Sequence, residues 1–146
     1  MSGYSGTPLA QKLGVRAGSR VHARGAPRNY RELLAPLPPG VRFVRRADAS
    51  DDILHLFVRT RAALQAELAA VRRALRDDAA LWISWPKKSA GLASDLSEDG
   101  VRAIALPLGL VDIKVCAIDA TWSALKFVVP RTQRASARLA RRAPRV

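Results

Sequence analysis

The sequence at positions 51–58 reads DDILHLFV, and its last six residues form a nearly continuous apolar run. A second apolar run, LWISW, occupies positions 81–85 and is stopped by Pro86. Short runs of this kind are typical of strands that are covered on both faces. We therefore predict two buried strands in the middle of the chain.

A helix is predicted between these two strands, because apolar residues recur there every three or four positions. Its apolar positions are Leu64, Leu68, Val71 and Leu75. Thr60 is a suitable residue to cap its start, and Asp77 and Asp78 end the pattern. The order strand, helix, strand is typical of a parallel sheet with helices on its faces.

The same order extends in both directions along the chain. Upstream we predict a helix that starts at the Thr7-Pro8 pair and closes at Gly14, a strand at 20–23, a short helix at 28–34 and a strand at 41–44. Downstream, Ser97 is predicted to cap a helix that ends near residues 107–109. Two alternating runs, at 111–118 and 125–129, are typical of an antiparallel hairpin.

These elements predict a Rossmann-like α/β fold, in which a mainly parallel sheet has helices on both faces and a C-terminal antiparallel hairpin closes it. The closing hairpin resembles the end of class I methyltransferase domains, which is an analogy of architecture and not of chemistry. We predict a single domain over residues 1–130. The arginine-rich residues 131–146 are expected to be disordered or a frayed helix.

The charge is distributed unevenly over the 146 residues, whose formal net charge is +13. Residues 1–46 hold nine basic residues and one acidic residue, and residues 131–146 hold six arginines and no acid. Basic ends of this kind attract polyanions without specificity. Non-specific contact with nucleic acid is therefore one expectation for the tail. It would be made by Arg131, Arg134, Arg138, Arg141, Arg142 and Arg145.

Location and redox state are read from what the sequence lacks. The N-terminal residues have no basic cluster followed by an apolar segment, so no signal peptide is predicted, and no apolar run is long enough to span a membrane. Cys116 is the only cysteine, and one thiol can form neither an internal disulfide nor a zinc site. We expect a cytoplasmic protein without a bound metal or membrane contact.

The turn after the first predicted strand argues against an ordinary nucleotide cofactor. It contains Gly25 as its only glycine, and Pro27 lacks a backbone N–H. The acidic residue that commonly binds a ribose after the second strand is replaced by Arg45 and Arg46, with Asp48 as a weak substitute. The sequence therefore predicts no cofactor.

A loop and a hairpin carry the candidate ligand-binding residues, whose ammonium and hydroxyl groups could hold an anion. These residues are Lys87, Lys88, Ser89, Asp95, Asp112, Lys114, Asp119 and Trp122. Alternation along the first hairpin strand predicts that Asp112, Lys114 and Cys116 share one face. Exposed lysines and a small buried thiol remain the simpler interpretation. His22 and His55 lie in apolar strands and are expected to be neutral core residues.

Three separated segments resemble a bacterial family of small proteins that is classed as a domain of unknown function. They are SGYSGTPLA at 2–10, WPKK at 85–88 and KVCAID at 114–119. The resemblance covers roughly residues 2–130. It implies that the loop at 87–96, which we call the lysine loop, and the hairpin are characteristic features. It implies no activity, cofactor or catalytic residue. One departure is Ala120, where the family pattern has an acidic residue.

Three functions are compatible with these features. The preferred hypothesis is a non-catalytic Rossmann-like module that binds a small anionic ligand or a protein partner, since the glycine-rich turn is missing. The first alternative is an enzyme with a degenerate methyltransferase-like site at the Lys87 and Lys88 loop. The second alternative is a nucleic-acid accessory protein that uses the basic tail.

Overall fold

A computed structural model describes residues 6–134. The helices within this range are α1 (Leu9–Leu13), α2 (Tyr30–Leu34), α3 (Arg61–Val71) and α4 (Glu98–Ala105). The strands are β1 (Arg20–Arg24), β2 (Arg42–Phe43), β3 (Ile53–Phe57), β4 (Ala80–Pro86), β5 (Val111–Ala117) and β6 (Trp122–Val128). Short 3-10 helices lie at Lys88–Ala90, Leu106–Leu108 and Arg131–Gln133. None of the helices described is long and apolar enough to cross a membrane.

The strands of residues 6–134 form one six-stranded sheet in the order β2-β1-β3-β4-β6-β5. The first four strands of this order are parallel, whereas β6 is antiparallel to both β4 and β5. We call the edge where the parallel strands end the carboxyl edge and the opposite one the amino edge. Since Trp122 pairs with Pro86, the turn between β5 and β6 also lies at the carboxyl edge.

Two apolar clusters cover the two faces of the sheet. Leu64 and Leu68 of α3 pack on one face with Leu125, and α4 joins them there. On the other face, Leu13 of α1 packs with Trp82, and the Trp82 indole N–H donates a hydrogen bond to the Leu13 carbonyl at 3.0 Å. Successive strand residues point to opposite faces, so a continuous apolar strand serves both clusters at once. The prediction of buried central strands is confirmed.

The two longer helices begin where the sequence predicts. The Thr60 hydroxyl accepts a hydrogen bond from the Ala63 N–H, and the Ser97 hydroxyl accepts one from the Gly100 N–H, both at 3.1 Å. The predicted stripe of α3 is buried, but the helix ends at Val71, four residues before the last apolar position. Leu75 is buried from a turn that follows the helix, so spacing located the core residue but not the helix end.

The predicted face pattern of β5 is wrong, because a β-bulge interrupts the strand. Asp112 pairs with Phe127, yet Lys114 pairs with Lys126, so Ile113 is the extra residue. Directly opposed residues lie on the same face of a sheet. Asp112 therefore faces α4, whereas Lys114 and Cys116 face α1. The bulge also leaves Ile113 55% exposed.

Candidate functional site

The order of the strands reverses at the carboxyl edge, between β1 and β3. β1 has β2 on one side and β3 on the other, and the helices that follow β1 and β3 cover opposite faces of the sheet. Ligands of open α/β sheets bind outside the strand ends at such a reversal. Residues 25–27 after β1 and residues 58–60 after β3 flank this reversal, and we call the place between them the crevice.

Gly25 forms the tightest part of this crevice. Its φ is +73°, which L side chains rarely adopt, and a Cβ built on it would lie 2.6 Å from the Phe57 carbonyl oxygen. Only glycine therefore lets the loop after β1 lie against the end of β3. Beside it, the Arg24 guanidinium forms an ion pair with Glu67 of α3.

The lysine loop lies next to the hairpin turn, as it must if the loop and the hairpin are to form one binding site. The Lys87 backbone N–H donates a hydrogen bond to the Thr121 carbonyl oxygen at 2.8 Å. Lys87 is partly buried, and Lys88 and Ser89 are exposed in the short 3-10 helix that follows. Two ammonium groups thus stand beside the end of β4 and the β5–β6 turn.

Asp119 and Trp122 shape the hairpin turn. Asp119 Oδ1 accepts hydrogen bonds from the backbone N–H groups of Thr121 and Trp122, both at 2.8 Å. The Trp122 ring meets the Phe57 ring edge to face at 5.1 Å. This contact fixes the turn to the end of β3, so Lys87, Asp119 and Trp122 lie together at the carboxyl edge.

A chain of buried polar groups continues from Phe57 into the core. The Phe57 ring stacks on His55 at 4.2 Å, and His55 bonds through Nδ1 to the Tyr30 hydroxyl at 2.8 Å and through Nε2 to the Ser84 hydroxyl at 2.6 Å. Burial lowers the pKa of His55 to about 3 and raises the pKa of Tyr30. His55 is therefore a neutral core residue that positions Phe57, in agreement with the sequence-based interpretation.

Asp95 lies at the same edge but contacts Arg61 at the start of α3. Its Oδ1 accepts a hydrogen bond from the Arg61 backbone N–H at 2.7 Å, and the Arg61 side chain returns one to the Asp95 carbonyl at 3.4 Å. The carboxylate thus binds the first turn of α3, where negative charge is favoured. The structure assigns Asp95 a role in holding the loop against the helix.

Asp112 and Lys114 do not join the carboxyl-edge group. Asp112 binds the Arg102 guanidinium at 2.8 Å near the amino edge, which holds the pKa of that carboxyl below its usual range. Lys114 Nζ donates to the Lys12 carbonyl at 3.3 Å on the opposite face. Burial raises the pKa of the Cys116 thiol, against the opposing effect of Lys12 and Lys114. The neighbouring lysines therefore do not give the thiol a lowered pKa, in line with the interpretation of Cys116 as a small buried thiol.

A cavity of about 470 Å³ lies against β1, β2 and α2, and the sequence-based search missed it. Arg28, Arg31 and Arg45 line it, and the Arg31 guanidinium lies 4.5 Å from the centre of the Phe43 ring. No carboxylate is among its lining residues. The available signal was the run of arginines on both sides of α2 and β2, balanced in residues 1–46 by Glu32 alone.

The basic tail lies mostly beyond the part of the chain that the structure describes. Arg131 begins the last 3-10 helix, and Arg134 Nε donates a hydrogen bond to the Val129 carbonyl at 3.1 Å. The other arginines named for polyanion contact are outside the described residues, as are residues 2–5 of the SGYSGTPLA segment. They are Arg138, Arg141, Arg142 and Arg145.

No protein-family model matches the chain, and no curated protein matches it. Solved structures do. The fold is similar to that of a Sulfolobus solfataricus protein described as a type 11 methyltransferase, with a TM-score of 0.61 and 13% identity over 86% of this chain and 91% of that one. A SAM dependent methyltransferase from Aquifex aeolicus follows, with a TM-score of 0.58 and 12% identity over 84% and 88% of the two chains.

A third similar structure is DhpI in its complex with SAH, with a TM-score of 0.53 and 9% identity over 85% of this chain and 83% of that one. The fold is therefore that of class I methyltransferases, and the predicted Rossmann-like sheet with its closing hairpin is confirmed. The hypothesis of a non-catalytic binding module is wrong, because the similar structures from Sulfolobus solfataricus and Aquifex aeolicus are described as methyltransferases. These similarities favour the alternative of a methyltransferase-like enzyme.

Proposed function

We propose that the chain is a methyltransferase-type enzyme that binds S-adenosylmethionine in the crevice between β1 and β3. The observation that carries the proposal is the position of Gly25, a left-handed glycine at the strand reversal whose backbone lies against the end of β3. The first glycine of a nucleotide-binding turn occupies this place for the same steric reason. The similar fold of the solved methyltransferases supports the proposal.

Gly25 fits this cofactor at the turn, whereas Pro27 offers it no backbone N–H and the ribose position lacks its usual carboxylate. Arg45 follows β2, where a carboxylate commonly binds the ribose hydroxyls. Asp48 cannot replace that carboxylate, because it lies at the amino edge, 3.8 Å from Arg20. We therefore expect weaker binding of the adenosine half than in a site with an acidic residue.

The chain's own side chains suit an acceptor substrate with a negative charge. Lys87 and Lys88 stand beside the crevice and would attract an anionic group. Asp119 accepts both of its backbone hydrogen bonds through Oδ1, so Oδ2 is left to accept a hydrogen bond from an acceptor hydroxyl or amine. S-adenosylmethionine, when bound, supplies an electrophilic methyl group.

The test is titration of the full chain with S-adenosylmethionine and S-adenosylhomocysteine, followed by calorimetry. Ala26→Trp would fill the crevice, and we expect it to weaken binding at least about tenfold, which corresponds to about 1.4 kcal/mol. Ala70→Trp is the matched control, because it adds the same side chain to the exposed side of α3. Circular dichroism establishes that both variants are folded.

A second measurement needs no variant. In amide NMR spectra, S-adenosylhomocysteine should shift the signals of residues 25–27, 58–60 and 119–122 more than those of the amino edge. Absence of binding to the wild-type chain would overturn the proposal. So would equal affinity of the two tryptophan variants, because it would place the ligand outside the crevice.

A further inference from the structure

A second concave site lies at the amino edge, which is the edge of the sheet opposite the crevice. Its cavity measures about 420 Å³. It is lined by the loop at 14–19, by the starts of β3 and β4, by Lys126 of β6, and by the ion-paired side chains of Asp52, Arg76 and Asp78. Gly14 and Gly18 both have a positive φ, which bends the loop so that Arg16 reaches the cavity.

Arg16 and Lys126 line this cavity, and Lys114 lies beside Lys126 and contacts Lys12. We call Lys12, Arg16, Lys114 and Lys126 the cation cluster. Lys114 and Lys126 are directly opposed across β5 and β6, and Lys114 Nζ binds the Lys12 carbonyl at 3.3 Å. Burial lowers the pKa of Lys126, and the nearby charges of Lys114 and Arg16 lower it further. The cluster is therefore a set of like charges held close together.

The nearby carboxylates do not neutralise the cluster. Asp52 binds the Arg76 guanidinium at 2.9 Å, and Asp78 binds the same guanidinium. Among residues 6–134, no ion pair joins a member of the cluster to a carboxylate. Like charges placed directly opposite each other in a sheet destabilise it. This arrangement lowers stability in the free protein, and a bound anion would remove that cost.

We propose that the amino-edge cavity is a binding site for phosphoryl groups, held by Arg16 and Lys126 with Lys114 behind them. A phosphoryl group carries up to two negative charges and three acceptor oxygens, which suits converging cations better than a single carboxylate does. The remaining volume of the cavity accommodates the body of a phosphorylated small molecule. The site is independent of the proposed function, because it lies at the opposite edge of the sheet.

The experiment is calorimetric titration of the full chain with inorganic pyrophosphate, in the wild type and in Lys126→Met. Methionine keeps the length of the side chain and removes its charge. We expect pyrophosphate binding to weaken at least about tenfold, while the melting temperature of the ligand-free protein rises. A lysine with only a structural role would not combine these two effects. Lys114→Met should show the same pair of effects to a smaller degree.

Lys88→Met tests the competing location, since it removes a lysine from the carboxyl edge. Weaker binding in Lys88→Met together with unchanged binding in Lys126→Met would overturn the proposal by placing the anion at the lysine loop. Lack of pyrophosphate binding to the wild type would overturn it as well. S-adenosylhomocysteine binding should be unchanged in Lys126→Met, so failure here is distinguishable from failure of the proposed function.

A parallel titration with a short single-stranded RNA distinguishes the two sources of phosphoryl groups. If pyrophosphate displaces the RNA and Lys126→Met weakens both, the site is confirmed and a nucleic-acid phosphate can fill it. If RNA binding is unaffected by pyrophosphate and by Lys126→Met while pyrophosphate binding depends on Lys126, the site is confirmed for small molecules alone. The RNA would then bind elsewhere on this basic chain.

Discussion

The two edges of one sheet are held together by different interactions. The carboxyl edge relies on close backbone contact and on hydrogen bonds from backbone N–H groups: Gly25 against Phe57, the Lys87 N–H on Thr121, and the turn around Asp119. Its main ion pair is that of Arg24 with Glu67. The amino edge relies on charge, with Arg20 and Arg76 each shared between two carboxylates.

This difference has a physical consequence for function. Close-packed contacts and short hydrogen bonds within the backbone turns respond little to ionic conditions, which suits a site that must position a ligand. Ion pairs near the surface are weakened by salt and respond to nearby charges. The carboxyl edge is thus the rigid site, and the amino edge is the one whose energetics an anion can change. Each of the following predictions tests one side of this contrast.

The largest effect is expected from two matched glycine substitutions. Gly25→Ala and Gly14→Ala both force alanine into a left-handed conformation, which costs about 1–2 kcal/mol. The Cβ at position 14 meets no atom within 4 Å, whereas the Cβ at position 25 would lie 2.6 Å from the Phe57 carbonyl. We therefore expect Gly25→Ala to cost roughly 3–4 kcal/mol in all.

Urea unfolding of the two alanine variants measures the difference directly. The rigid description of the carboxyl edge requires the larger loss of unfolding free energy at position 25. Similar losses at the two positions would mean that the loop after β1 can move away from β3, and the crevice would then not be preformed.

The next effect concerns pH and His55. Burial lowers the pKa of His55 to about 3 in the folded chain, against about 6.5 when unfolded. Protons therefore favour the unfolded state, so the stability contributed by the neutral ring is complete above about pH 6.5 and is lost as the pH falls toward 3. Between about pH 7 and pH 4.5 we expect a loss of about 2–3 kcal/mol.

His55→Gln should remove this pH dependence, although the variant is less stable at neutral pH. His22→Gln is the control, because it removes the other histidine and leaves His55 in place. Denaturant titrations at several pH values report both slopes. If the slope persists in His55→Gln and disappears in His22→Gln, the buried chain through Tyr30 and Ser84 does not have the protonation state described above.

The sequence predicted the elements well because each carries a local signal. The apolar run at 53–58, the caps at Thr60 and Ser97 and the hairpin alternation are properties of neighbouring residues. The bulge at Ile113 has no such signal, since it depends on the pairing of β5 with β6. Alternation in the sequence therefore predicts Asp112 and Lys114 on one face and in one site, whereas the bulge puts them on opposite faces.

The candidate site was predictable in part for the same reason. Lys87 and Asp119 follow strand ends, and a strand end predicts the edge at which a residue lies. Which residues meet at that edge depends on strand order, so the contact of Phe57 with Trp122 could not be foreseen. The cation cluster could not be predicted from the sequence either, because its members come from α1, a loop and two strands that only the fold brings together.

The smallest expected effect distinguishes the edges by their response to salt. Asp119→Ala removes an acceptor of two backbone N–H groups, and Arg76→Met removes the partner of Asp52 and Asp78. Each change should cost about 1 kcal/mol of unfolding free energy at low salt, since the groups are partly exposed.

In about 1 M NaCl the screening length falls to about 3 Å. The loss of unfolding free energy in Arg76→Met should then shrink by about half. The loss in Asp119→Ala should stay the same, because a hydrogen bond from a backbone N–H in a tight turn depends on contact geometry more than on long-range charge. Unfolding titrations at low and high salt measure both costs, and an equal response to salt would mean that charge also holds the hairpin turn at the carboxyl edge.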